Sequence, residues 1–324
     1  MPKPGGEKNQ TQTFLMKQFG SAGIQPRQKL GQNFLIDLNL VRLLAESSEV
    51  GPNDVVLEVG TGIGSLTDML CKQAAQVVTI ELDETLHGMA SDALRHHKNL
   101  KMIKGDILEN KNRLNQHVLD VLREEIIKHP DGEFHLAANL PYNVATPIMS
   151  NLLLTDIPPR SMTVTIQKEL ADRIIARPST KAYGSLAIWM QCQCRTEIVR
   201  IMPPTVFWPQ PKVHSAIIRV VRDDELRNRI PDLKRFHLFV RSLFFHRRKF
   251  LRSVLVSAFK DQATKPGDFP QPQESRQRLV KSQVDEVLAS LGISPEIRAE
   301  NLDVEQILAL GEAMHKAVSA ESAD

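Results

Sequence analysis

Apolar residues recur along the first half of the chain in two alternating periods. Short β-branched runs at 55–59 (VVLEV), 77–82 (VVTIEL), 100–106 (LKMIKGD), 134–142 (FHLAANLPY) and 161–167 (SMTVTIQ) read as five strands. Between them lie segments with helical spacing at 38–50, 66–73, about 83–97, 113–128 and 146–154, several of which stop at Gly-Pro or Pro-Asp-Gly punctuation. Strands rich in Val and Ile with few polar alternations are buried on both faces. Alternated with helices they predict a doubly wound α/β sheet of the Rossmann-like type.

Two further strand candidates, 187–202 and 215–221, flank the proline-rich PPTVFWPQPK at 203–212. Beyond residue 232 the period is helical, at 233–259, about 275–291 and 303–317, with a proline-containing break at 261–273. Charges and Pro231 interrupt the pattern at 222–232. The expected organisation is therefore a leader over 1–24, a sheet domain over 25–225 and a smaller all-α domain over 226–324. The leader is Gln-rich and lacks the apolar core of a secretory signal, so it reads as a flexible segment.

The overall composition is ordinary for a globular chain, with 42% hydrophobic residues, 24% charged residues and a formal charge of +3. The distribution of that charge changes the picture. Residues 1–159 carry a net −4, residues 160–260 a net +13, and residues 261–324 a net −6. A basic block inside a near-neutral protein fits a surface that meets a polyanion, or a solvated face with no partner. No apolar run is long enough to cross a membrane, so no membrane partner is expected. Cys71, Cys192 and Cys194 lack metal-ligand spacing and read as buried hydrophobes, Cys192 and Cys194 sharing one strand face. No metal is expected, and three sparse cysteines fit a reducing cytoplasm.

Candidate chemistry gathers at the strand ends. The first strand runs into Gly60-Thr61-Gly62-Ile63-Gly64, where glycines let the backbone approach a ligand closely. Such a turn also occurs without a ligand, and its spacing differs from the G-x-G-x-x-G of dinucleotide binders. Glu58 places a carboxylate beside the loop, which would repel a pyrophosphate but not a sulfonium-bearing amino acid. Glu81, ending the second strand, suits two ribose hydroxyls, and Asp106, ending the third, suits an adenine amino group. Three carboxylates in successive units at the carboxyl edge of one sheet point to S-adenosylmethionine as cofactor.

Asn139-Leu140-Pro141-Tyr142 follows the fourth strand. An exocyclic amino group is a weak nucleophile, because its lone pair is delocalised into the ring. The Asn139 side-chain oxygen and the Leu140 carbonyl could accept its two N–H bonds and favour a pyramidal nitrogen, Pro141 would hold that carbonyl, and Tyr142 offers a face on which an extruded base stacks. The alternative is an ordinary turn with a packed tyrosine.

This string resembles the N-P-P-Y or N-L-P-Y motif of amino-group methyltransferases, and the resemblance is wide. KLGQNFL (29–35), VLEVGTGIGSLT, IELD, NLPYN, QKELADRI, AYGSLAI, PPTVFWPQPKVHSAIIR, LFFHRRKFLR and RAENLDVEQ together resemble the KsgA-type small-subunit ribosomal RNA adenine N6,N6-dimethyltransferases over residues 25–315. The resemblance implies transfer of methyl groups from S-adenosylmethionine to two adjacent adenosines in the 3′-terminal hairpin of 16S rRNA, within an immature small subunit, by a cytoplasmic monomer acting in ribosome biogenesis. It assigns Asn33, Leu35, Gly60, Glu81, Asp106 and Asn139 to the cofactor, to which the reading of the glycine loop adds Glu58 and Gly62. Phe207 would stack on the target base opposite Tyr142, or pack in the core. Lys212, Arg247, Arg248, Lys249 and Arg252 would face RNA phosphates. Thr61 stands where the family usually has proline, Ala138 where glycine is common, and the 110–133 connection is longer than the family minimum. Two other functions remain: a large-subunit rRNA methyltransferase of the macrolide-resistance type, and an RNA-binding assembly or transcription factor that kept the fold without the chemistry.

Overall fold

The computed structural model describes residue 26, residues 31–258 and residues 281–320. The 1–24 leader, Lys29 and Leu30 of the first motif, the 261–273 break and the start of the helix expected from 275 lie outside the described residues.

The predicted strands form one seven-stranded sheet: β2 (Val55–Val59), β3 (Gln76–Glu81), β4 (Leu100–Lys104), β7 (Phe134–Asn139), β8 (Ser161–Gln167), β9 (Cys194–Met202) and β11 (Ser215–Arg222), in the order β4-β3-β2-β7-β8-β11-β9. Pairings β4–β3, β3–β2, β2–β7 and β7–β8 are parallel. Every residue of β2 and β3 is buried, whereas edge strand β4 is only half-buried, which is why the central strands read as continuous apolar runs. The chain starts in the middle at β2, winds outward through β3 to β4, then returns to lay β7 on the other side of β2. Right-handed crossovers place the helices of these two excursions on opposite faces, and the winding reverses between β2 and β7.

Helices α1 (Leu38–Ser47), α2 (Ser65–Cys71), α3 (Glu84–Leu94), α4 (Gln116–Lys128) and α5 (Ala145–Leu152) fill the predicted positions. Asp37, Asp83 and Asn115 cap α1, α3 and α4 through their side-chain oxygens. The long connection after β4 begins with a hairpin, β5 (Leu108–Asn110) and β6 (Arg113–Leu114), so α4 starts three residues later than its periodicity suggests. Two short strands, β1 (Phe34–Leu35) and β10 (Phe207–Trp208), pair antiparallel with each other.

The chain forms two compact units, residues 1–171 with 197–219, and residues 172–196 with 220–324. The second unit thus takes in 172–196, which the sequence reading placed with the sheet. Its residues pack there: Tyr183 donates to the Leu302 carbonyl at 2.9 Å, and the Trp189 ring lies 4.5 Å from that of His237. Residues 187–191 belong to helix α7 (Ser185–Gln191), and only Cys194–Met202 is strand. Cys192 caps that helix, so it does not share a strand face with Cys194, although both are buried. The single helix expected over 233–259 is two, α9 (Leu233–Phe245) and α10 (Leu251–Ala258), separated by a turn at 246–250. Helices α11 (Lys281–Ser290) and α12 (Val304–Ala320) complete the unit.

Candidate active site

A cavity of about 190 Å³ opens at the carboxyl ends of β2, β3, β4 and β7, at the reversal of winding where an open α/β sheet binds its ligands. Its wall includes Asn33, Gly60, Gly62, Glu81, Asp106 and Asn139. Six positions predicted from sequence, spread over more than a hundred residues, therefore meet at one place.

The glycine loop is shaped by backbone that other residues rarely adopt. Gly60, Gly62 and Gly64 have φ of +85°, +56° and +86°. A Cβ on Gly62 would stand 3.4 Å from the Phe34 ring, in contact with it, so the left-handed φ is the main cost of a side chain there. Glu81 braces this loop: its carboxylate accepts from the Gly62 N–H at 2.8 Å and from the Asp83 N–H at 2.9 Å. Burial holds its carboxyl above the usual range, against the pull of those backbone donors. Thr61, in place of proline, bonds Thr79 of β3 at 2.7 Å and so ties the loop by a hydroxyl.

Glu58 does not join this group. It is 1% exposed, absent from the wall of the main cavity, and accepts from Thr67 at 2.6 Å and Thr79 at 2.7 Å. Burial pushes its carboxyl up to about 8. Burial thus favours the protonated form over the anion expected beside the loop, and Glu58 braces β2, α2 and β3. Leu35 likewise turns into the core, and Phe34, which the sequence reading passed over, lines the cavity in its place. Asp106 lies two residues beyond β4, exposed, with one oxygen accepting from the Leu108 N–H at 2.9 Å.

Asn139 ends β7. Its Nδ2 donates to the Asn33 carbonyl at 2.9 Å, while its Oδ1 has no partner among the described residues. That single bond fixes the amide so that an acceptor remains in the cavity wall. Tyr142 is half-buried, with its hydroxyl 2.5 Å from Ser215 Oγ, which pins the ring, and burial pushes its phenol up. Leu140 is buried and Pro141 lines the cavity. Phe207 is 2% exposed and sits in the core with Leu35, Val41 and Leu44. Of the two roles expected for Phe207, this position matches core packing. The neighbouring Trp208 stacks on Phe34 at 6.4 Å.

The expected phosphate-facing cations separate into two groups. Lys212, Arg248 and Lys249 are exposed. Arg247 is exposed as well but is tied to the protein, pairing with Glu300 and donating to the carbonyls of Lys181 at 2.9 Å and Thr180 at 3.1 Å. Arg252 lies 2.9 Å from Asp285. Away from the cavity, Asp68, His96 and His97 bring ligand atoms within 4.8 Å of one another. Lys72 and His97 already occupy the two Asp68 oxygens at 2.6 and 2.8 Å.

The family model for ribosomal RNA adenine dimethylases matches residues 23–290. Ribosomal RNA small subunit methyltransferase A of Streptococcus thermophilus is 36% identical over 295 residues, covering 91% of this chain and 94% of that protein. The protein of the same name from Listeria monocytogenes is 38% identical over 298 residues, covering 92% of each. Among solved structures, a dimethyladenosine transferase from Plasmodium falciparum superposes with a TM-score of 0.67 at 22% identity, covering 86% of this chain and 96% of that one. The 23S rRNA methyltransferase ErmE superposes with a TM-score of 0.57 at 23% identity, covering 87% and 99%. At such identities the superpositions speak for the fold.

Proposed function

The chain belongs to the ribosomal RNA adenine dimethylase family, and on that premise we propose that it methylates the N6 amino groups of two adjacent adenosines in the 3′-terminal hairpin of small-subunit rRNA. S-adenosylmethionine is the methyl donor in this reading. The cavity fits it: two carboxylates, Glu81 and Asp106, and no Arg or Lys stand among the described wall residues, which suits a cation, ribose hydroxyls and an amino group but not a pyrophosphate. The positive-φ glycines leave room where side chains would otherwise fill the wall. Glu81 would hold the ribose, Asp106 the adenine amino group, and Gly60, Gly62, Asn33 and Phe34 the remainder. When bound, the cofactor supplies an electrophilic methyl on a sulfonium.

The chain's own part is positioning. Asn139 Oδ1 and the Leu140 carbonyl accept the N–H bonds of the target amino group, so its lone pair points to the methyl group. Tyr142, pinned by Ser215, stacks on the extruded base, and the nitrogen loses one proton to solvent after transfer. The enzyme works in this reading as a cytoplasmic monomer on an immature small subunit. No helix among the described residues is long and apolar enough to cross a membrane.

The observation that carries the reading is Asn139, held through Nδ2 with Oδ1 left as an acceptor in the cavity wall. The test is transfer of labelled methyl from S-adenosylmethionine to undermethylated subunits, mapped by primer extension. The parent should label adjacent adenosines near the 3′ end of small-subunit rRNA, and Asn139→Ala should not, while retaining part of its cofactor binding. Label in large-subunit rRNA would instead support the macrolide-resistance reading, and no incorporation by the parent would support a binding factor. Full activity of Asn139→Ala would remove Asn139 from the mechanism.

A further inference from the structure

Two aromatic side chains flank the turn between α9 and α10 and stay largely in solvent: Phe245, the last residue of α9, whose ring meets that of His246 edge-on at 5.0 Å, and Phe250, just before α10. Phe245 is 82% exposed and Phe250 is 52% exposed. Their neighbours show that inward positions were available: Leu243 and Leu251 are fully buried, and Phe244 packs edge-on to Tyr183 at 6.3 Å. The turn that presents the two phenyl rings is held firmly. The Lys249 N–H donates to the His246 carbonyl at 2.9 Å, the Leu251 N–H to the Ile297 carbonyl at 2.7 Å, and Arg247 is tied to Glu300, Thr180 and Lys181. Arg248 and Lys249 stand exposed between the rings in sequence.

We propose that Phe245 and Phe250, with Arg248 and Lys249, form a stacking site for unpaired bases of the RNA substrate, in the helical unit and made of residues other than those lining the cavity. This rests on the RNA-modifying reading above and adds to it a second set of base contacts. Exposed rings interleaved with exposed cations match the chemistry of single-strand binding, in which aromatic faces stack on bases and cations follow the phosphates. A protein partner would call for an interface core depleted of charge. A membrane surface would call for an extended apolar helix face, whereas Phe245 is the last residue of α9 and Phe250 lies beyond it, with two cations between them in sequence. Arg247 serves as a positioning residue here: it stiffens the turn and leaves phosphate contact to its two neighbours.

The test uses the full chain and fluorescence anisotropy with a labelled 12-nucleotide single-stranded oligoadenylate and a 12-base-pair RNA duplex, across a salt series. Phe245→Leu and Phe250→Leu should each weaken single-strand binding by about tenfold, roughly equally at every salt concentration, with duplex binding unchanged. Phe245→Tyr should restore it. Arg248→Ala and Lys249→Ala should weaken both probes and each lower the salt slope by about 0.7–0.9. Unchanged single-strand binding in the Leu variants, equal losses on both probes, or a parent that binds no single strand would overturn the proposal. So would Phe-dependent partition of the parent into phosphatidylserine vesicles. Methyl transfer by the parent is scored separately, so a failed stacking site and a failed enzyme assignment give different results.

Discussion

Glu58 provides a direct measure of how dry the sheet is beneath the glycine loop. Its carboxyl is 1% exposed, and its Oε2 accepts two threonine hydroxyls, which pull its pKa down, while burial and the nearby Glu81 push it up; burial wins and the group titrates at about 8, against 4.5 when free. Between those limits the folded chain keeps a proton that the unfolded chain has released. The contribution of Glu58 to stability is therefore fully present below pH 4.5 and is lost as pH rises towards 8, by about 1.4 kcal/mol per pH unit and about 5 kcal/mol in all.

Glu58→Gln keeps the shape and an acceptor for Thr67 and Thr79 but cannot ionise. Native-state hydrogen exchange of the Val55–Val59 amides reads the opening free energy of this part of the sheet, measured from pH 5 to 8.5 on parent and variant. All other titrations cancel in the difference. The variant should gain on the parent steadily with pH, by several kcal/mol at the alkaline end. A difference that stays flat, or that moves in the parent's favour, would refute the account of Glu58 as a neutral brace.

Two further outcomes follow from the loop and the core. Gly62→Ala should cost about 1–2 kcal/mol in thermal unfolding, from its left-handed φ and the approach of the Phe34 ring, and should weaken S-adenosylmethionine binding by calorimetry. An unchanged melting midpoint with intact binding would contradict the packed loop. Phe207→Ala should destabilise by about 3–5 kcal/mol as a buried aromatic is removed, whereas Phe207→Leu should keep most of its methyl transfer. Lost transfer in a stable Leu variant would return Phe207 to base stacking.

Much of the sheet was legible because parallel strands buried on both faces leave an unbroken signal: the 161–167 run coincides with β8, and 55–59 with β2. The cavity wall was legible for a related reason, since chemistry at strand ends is marked by glycines and isolated carboxylates. What misled was periodicity without context. The 187–202 run is apolar enough for a strand, but its first half is buried on all sides as helix, a case that hydrophobic pattern alone does not separate. The 233–259 stretch keeps a helical period through 246–250, yet the tertiary bonds of Arg247 hold that segment in a turn. Charge misled in the same way: four cations in one run look equivalent until Arg247 and Arg252 find carboxylates. Glu58 and Glu81 are both strand carboxylates, and only their packing sends one to the core and the other to the glycine loop.

The pairing of β1 with β10 explains why two motifs far apart in the chain behave as one device. Phe34 faces Trp208 and Leu35 faces Phe207 in register, and the Ile36 N–H donates to the Val206 carbonyl at 2.9 Å. The buried Phe207 therefore anchors the segment that carries Asn33, and the Asn33 carbonyl in turn holds the Asn139 amide. Orientation of the Asn139 amide, the acceptor in the proposed mechanism, thus rests on a core side chain about seventy positions away in sequence, through one strand pair and one hydrogen bond. Loss of packing at Phe207 should thus reach the chemistry through Asn139 without any contact to substrate. The proline-rich segment, which carries no chemistry of its own in this account, is placed to position the residue that does.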